Sequence, residues 1–464
     1  MHAARHTAFR PALALLLLLA AASALPAQLR AGAARRTVTP DLGEHAPVYL
    51  AGFGLNRRAT GIHDDLWARC LALEAGGRRV ALCGVDSIGL FYEDVQRIRG
   101  AVRSQWAAPA DVVVASSHDH QAPDTMGLWG ASPGVSGLNE AYNAFLIERT
   151  AEAAVAALRS LRPAVVRLAR FHSPELDTFI HDNRPPVVHD SELVILSATG
   201  RDGSPIGTLV NWANHPEALG SKNTLVTADY PAHLYARLEE LLGGVAVFIN
   251  GAIGGMQSPL GTRIRDPATG ADVPDGSFRK AELIGRRVAE LAAQAVRRAQ
   301  DVAINRIEYR ERLISIPVTN AAFQKAAEAG VFKGRKPIHA EASTTTPVGY
   351  IRMSRGRRPV LEIALVPGEL YPELSVGGVE RYAGADFADA PVEPAIKPLM
   401  RAPYRMLFGL ANDEIGYIIP KAEWDEKEPW LRNSPGRWYG EVNSVGPEAA
   451  PRIVAALQEL LGKR

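Results

Sequence analysis

Apolar and polar positions alternate along much of the chain in short runs, and several longer stretches place apolar residues every three to four positions. The first pattern predicts strands and the second amphipathic helices. Strands are expected over 34–39, 66–74, 79–85, 112–115, 165–171, 193–198, 206–212, 245–250, 305–317 and 360–366. Helices are expected over 93–104, 139–161, 279–299 and 447–461. A further helix begins at Asp229-Tyr-Pro231, where an acid stands at the N-cap and proline in the first turn. Residues 333–346 read as a polar connector. Interleaved strands and helices predict a mixed α/β (α+β) chain, a layered sheet-and-helix sandwich without a clear internal boundary.

The first residues follow a different pattern. Arg5 and Arg10 precede an apolar run over 11–22, and Ala24 and Ala27 close small-residue cleavage sites. This predicts a secretory signal peptide over 1–27, followed by a single catalytic domain over 34–464, secreted or periplasmic. The apolar run is well short of the ~20 residues that span a bilayer. Export permits disulfides. With Gly76-Gly77 as a two-residue turn, Cys70 falls opposite Cys83 at a non-hydrogen-bonded position, which predicts a cross-strand disulfide.

Composition adds little except an exclusion. Hydrophobic residues make up 47% and charged residues 22%, as in ordinary globular chains. With 52 basic against 50 acidic residues the net charge is +2, so nothing in the charge balance calls for a nucleic acid.

The candidate chemistry sits where predicted strands end. The run Val112–Ala115 delivers His118 and His120, whose rings would share one side of an extended strand end with Asp119 on the other. Such a pair forms either a metal site or a ligand beside a general acid/base. His215 follows the strand over 206–212, and Glu369 follows the strand over 360–366. Two imidazoles and a carboxylate make up the set of a hydrolytic zinc site, although spacing alone does not assign these residues to one site. His63 reads as a loop histidine with a structural role.

The ordered motifs Thr60-Gly-Ile-His, Ser117-His-Asp-His-Gln-Ala-Pro, Asp182-Asn-Arg, Asn214-His-Pro, Asn250-Gly-Ala-Ile-Gly-Gly-Met-Gln-Ser-Pro, Val366-Pro-Gly-Glu, Asn412-Asp-Glu-Ile-Gly-Tyr and Trp438-Tyr-Gly resemble the neutral/alkaline non-lysosomal ceramidase family. The likeness runs from about Ala34 to the C-terminus and is to the family's N-terminal catalytic domain; its C-terminal immunoglobulin-like domain has no counterpart in these residues. The resemblance implies one Zn2+ per chain, held by His118, His215, Glu369 and Tyr417. It implies His120 as general acid/base, with Arg184, Ser258 and Tyr439 contacting substrate.

It further implies an amidohydrolase that cleaves an N-acyl amide of ceramide-like lipids with a zinc-activated water. His120 would move the proton, and Arg184 and Tyr439 are donors for the developing oxyanion. A lipid substrate predicts an apolar patch beside the site, with Leu128, Trp129 and Trp430 as candidates for its lining, and leaves peripheral membrane contact open. The chain departs from the family at Asp119, between the two histidines, and over 124–137. Two other readings compete. One is a metal-dependent esterase or phosphoesterase on the same residues, and the other is an exported binding protein that keeps the fold without turnover.

Overall fold

The computed structural model describes residues 29–462, so the signal-peptide expectation lies outside the described residues. Period-two burial organises the core. In the strands Trp67–Ala75, Arg78–Val85 and Asp111–Ser116, residues Leu71, Leu73, Val80, Leu82, Val113 and Ala115 face one core. Their neighbours Ala68, Cys70, Ala81, Cys83, Val112 and Val114 face another, under the helices Tyr92–Gln105 and Glu140–Arg159. The same split recurs in Leu193–Gly200, Pro205–Trp212 and Val245–Asn250, whose second face packs on the helices Tyr230–Leu242 and Phe278–Arg298.

These strands, with Arg30–Thr37, Arg162–Phe171 and the short Asp301–Val302, form a nine-stranded mixed sheet. A second, four-stranded sheet contains Arg306–Pro317, Ser343–Arg355, Arg358–Leu365 and Tyr404–Phe408. Its residues Ile351, Met353, Leu361, Ile363, Met406 and Phe408 complete the core between the sheets. The helix Ala449–Gly462 covers its outer face through Ile453 and Leu457, which lie with Tyr350 and Ala364. The result is a helix–sheet–sheet–helix sandwich.

Segment 409–412 ties the sheets together where the site is built. Gly409 N–H donates to Asn250 O (3.0 Å), Ser116 N–H to Leu410 O (3.2 Å) and Asn412 N–H to Val114 O (2.7 Å). It thereby joins the ends of strands Asp111–Ser116 and Val245–Asn250, the two termini of the larger sheet.

The hairpin forms as expected, with Cys70 opposite Cys83 and the two bonded as a disulfide across a Cα–Cα separation of 4.1 Å. Asn139 and Asp229 cap their helices, accepting from Tyr142 N (2.9 Å) and Tyr230 N (2.7 Å). One expectation needs correction. Residues 343–346 are not connector but the start of the strand Ser343–Arg355. Its threonines read as exposed, yet Thr344 and Thr346 are buried because their hydroxyls donate to Pro337 O (3.1 Å) and Asp413 Oδ2 (2.6 Å). Among the described residues, no helix is long and apolar enough to cross a membrane.

Candidate functional site

Three turns at strand ends bring the chemistry together. The strand Asp111–Ser116 stops before His118, whose φ of 65° lies in the left-handed region. His118 and His120 therefore do not share a face of an extended strand as expected. They meet because the chain turns there, with ring centroids 5.0 Å apart. His215 completes the group, 5.0 Å from the ring of His118 and 5.5 Å from that of His120. All three are buried, and one nitrogen from each lies within 4.8 Å of the others.

Asn250 holds the turns in place. Its side-chain N–H groups donate to Ser117 O (2.8 Å) and Asn214 O (3.0 Å), and its Oδ1 accepts from Asn214 N (3.1 Å). One buried amide thus clamps both histidine-bearing turns.

Backbone carbonyls decide the tautomers of two of the rings. A carbonyl only accepts, so His118 Nδ1–H donates to Ile88 O (2.7 Å) and His215 Nδ1–H to Gln257 O (2.7 Å). Each Nε2 is left to face the same oxygen, Glu369 Oε2, at 3.4 Å from His118 and 3.0 Å from His215. Neutral rings would set two lone pairs against a carboxylate in a dry site, an arrangement that a shared cation or ring protonation relieves. Burial alone would raise the Glu369 carboxyl and lower the His215 imidazole. His118 and His215 instead hold Glu369 below its ordinary range, and the Glu369 bond and nearby Glu217 lift His215. The donor set of His118, His215 and Glu369 fits a zinc ion.

His120 is different. Neither ring nitrogen has a hydrogen-bond partner, and burial together with His118, His215 and Arg57 pushes its pKa well below the usual value. Burial thus favours the uncharged ring. Its backbone is fixed by His120 N–H to Pro216 O (3.1 Å) and by the Arg57 guanidinium, which donates to the His120 carbonyl.

Glu369 also aligns Tyr417. The two residues pair in a short parallel bridge, and Tyr417 is buried with its ring 6.1 Å from Tyr371 and 5.9 Å from Tyr439. His118, His120, Glu369, Tyr417 and Tyr439 line one cavity of about 80 Å³. The remainder of its wall is mainly apolar, including Phe91, Met126, Leu128, Trp129, Phe323 and Phe332. Leu128 and Trp129 thus lie where an apolar patch was expected, whereas Trp430 borders a separate shallow surface.

The remaining predicted residues stand behind the wall. The Arg184 guanidinium donates to Glu441 Oε2 (2.8 Å), Tyr371 Oη (3.0 Å) and Glu423 O (2.6 Å). Ser258 hydrogen-bonds the side chain of Glu217. Asp119 is buried; its Oδ1 accepts from Gln121 N (2.9 Å), and burial raises its carboxyl well above the ordinary range. His63 stacks on Phe278 and pairs with Asp64 at 2.7 Å, a structural role.

Sequence reasoning passed over Glu217, Arg57 and Glu414. Glu217 follows His215-Pro216 and sets Oε2 3.2 Å from His120 Nδ1; an acid two positions after a candidate ligand was the available signal. Glu414 lines the cavity, and burial, followed by the nearby Glu369, raises its carboxyl well above the usual range.

No model of a protein family matches this chain, and no curated protein does. Among solved structures, the neutral ceramidase from Pseudomonas aeruginosa is similar with a TM-score of 0.70 at 16% identity, over 94% of this chain and 73% of that one. A structure described as a ceramidase complexed with C2 gives a TM-score of 0.70 at 15% identity, over 94% of this chain and 75% of that one. At such identities the likeness is one of architecture: the chain has a neutral-ceramidase-like fold.

Proposed function

We propose that the chain is a secreted zinc-dependent amidohydrolase that cleaves the N-acyl amide bond of a lipid-like substrate, releasing a fatty acid and an amine. The observation that carries this reading is the pair of carbonyl-locked imidazoles, His118 and His215, converging on Glu369 beside an unpartnered His120 at an apolar cavity. The fold shared with proteins described as ceramidases supports the choice of an amide.

In this reading His118, His215, Glu369 and Tyr417 hold the zinc. When bound, zinc supplies Lewis acidity to the attacking water and to the amide carbonyl. His120 takes the proton from water as the C–O bond forms, and returns it to the amide nitrogen as the C–N bond breaks. A neutral ring is the form this requires. Tyr439, at the cavity wall, donates to the oxygen that gains charge. Arg184 acts from behind by holding Tyr371 against Tyr417, and Ser258 acts through Glu217. The mainly apolar wall takes the acyl chain, and the lysine in it, Lys336, is already paired with Asp413, which favours this reading over phosphoesters.

The test is metal analysis of the purified mature protein with turnover measured on N-acyl sphingosines, N-acyl amino acids and esters. Stoichiometric zinc with amide cleavage is expected. Zinc near zero would overturn the proposal, and turnover of esters alone would favour an esterase. His118→Ala should lose the metal, while His120→Ala should keep it and lose turnover.

A further inference from the structure

Three consecutive residues of one turn act on the histidine group. His215 directs Nε2 at Glu369, the Pro216 carbonyl accepts from the His120 backbone, and Glu217 places Oε2 3.2 Å from His120 Nδ1. Glu217 is only 4% exposed. Burial raises its carboxyl, opposed by His215 and by the hydroxyl of Ser258, which is itself fixed by paired backbone bonds with His181 of 2.7 and 3.0 Å. The Glu217 carboxyl is therefore fixed, away from water, 3.2 Å from Nδ1 of an imidazole neither of whose nitrogens has a hydrogen-bond partner.

An acid in that place has two consequences. It accepts Nδ1–H, which leaves the lone pair on Nε2, and it offsets the positive charge that develops when Nε2 takes a proton. The contact lies off the line of a hydrogen bond, and such contacts are commonly loose before substrate binds. Glu217 is not placed as a metal ligand, because the Nε2 atoms of His118 and His215 converge on Glu369 instead.

We propose that Glu217 is the positioning carboxylate of His120, orienting its imidazole and holding the Nδ1–H tautomer through the Nδ1···Oε2 contact. This rests on the amide-hydrolysing reading, in which His120 carries the proton. As the water oxygen bonds to the carbonyl carbon, its proton goes to Nε2; when the C–N bond breaks, that proton passes to the departing nitrogen. Nδ1–H stays on the ring throughout, and Glu217 neither gains nor loses a proton.

The experiment uses the zinc-loaded full chain with Glu217→Gln, Glu217→Ala and Glu217→Asp. It measures kcat and KM on an N-acyl amide, zinc content, melting temperature and the ¹⁵N signals of the His120 ring, assigned with His120→Gln. Glu217→Gln and Glu217→Ala should keep zinc and lose about 10²–10⁴-fold in kcat, with KM within about threefold. Glu217→Asp should recover part of the loss. The ring should be Nδ1–H in the wild type and shift towards Nε2–H in Glu217→Gln. A Glu217→Gln kcat within about threefold of wild type, an unchanged tautomer, or zinc loss in both neutral variants would overturn the proposal. Should the wild type cleave no N-acyl amide, the functional reading fails on its own, and the tautomer measurement alone decides the role of Glu217.

Discussion

Gly52 lies against the imidazole of His120: a Cβ on Gly52 would stand 2.3 Å from Cγ and 2.4 Å from Nδ1 of that ring. Its φ of +86° is also one that side chains rarely adopt. The glycine is the floor on which the proton-carrying ring rests, while Phe53 meets the ring edge-on at 4.9 Å and Arg57 holds its carbonyl.

Gly52→Ala should therefore displace His120 without touching His118, His215 or Glu369. A misplacement of about an ångström can lower turnover about 10²-fold. The expected result is a kcat loss of that order with zinc content unchanged, measured by steady-state kinetics and elemental analysis. Loss of zinc would mean that the floor supports the whole histidine group.

The Cys70–Cys83 bridge closes a short loop, with a sequence separation of 13, inside a buried strand pair. Restricting the unfolded chain by a loop of that size stabilises by about 3 kcal/mol in the chain-entropy treatment. The double variant Cys70→Ala/Cys83→Ala should lose about 2–3 kcal/mol in urea unfolding. Thiol titration of denatured, unreduced wild type should find no free thiol.

His118, His120, His215 and Glu369 were legible in the sequence because each follows an apolar run that ends abruptly in polar residues. The strands were legible too, but Cys70-Leu-Ala-Leu73 is apolar throughout, so the division of its two faces between two cores shows only in the fold. What sequence could not supply was partnership. Glu217 gains its role only through His120 and Ser258, and Asn250 only through Ser117 and Asn214. Thr344 and Thr346 hid a strand because a hydroxyl that finds an acceptor can be buried in a sheet at little cost.

Asp86 gives a pH dependence whose sign can be worked out. Burial raises its carboxyl to about 7, against the opposing effects of the Tyr235 hydroxyl (2.8 Å), Arg69 and the Trp67 N–H (2.9 Å). Below the unfolded value near ~4 both states hold the proton. Between ~4 and about 7 the unfolded state has released its proton while the folded state still retains it, so this group's contribution to stability falls and is lost once pH has risen through about 7. Asp86→Asn removes that dependence. Its melting temperature relative to wild type should rise between pH 5 and pH 8, since the comparison cancels the shared effects of zinc and histidine. A flat difference across that range would show that Asp86 is ionised throughout.

Arg184 tests how far the wall behind the cavity matters to the chemistry. Both terminal nitrogens of its guanidinium are engaged, with Glu441, Tyr371 and the Glu423 carbonyl, and neither Arg184 nor Glu441 lines the cavity. Removing one partner of a buried ion pair leaves the other uncompensated, at a cost of about 3–5 kcal/mol. Arg184→Met should show that loss in urea unfolding. Adding Glu441→Leu should recover most of it, because the orphaned carboxylate is then gone. Because the double variant still lacks the bond from Arg184 to Tyr371, a role in holding Tyr371 should leave kcat more than about tenfold down even as stability returns. A double variant that recovers both stability and kcat would instead limit Arg184 to balancing the Glu441 carboxylate.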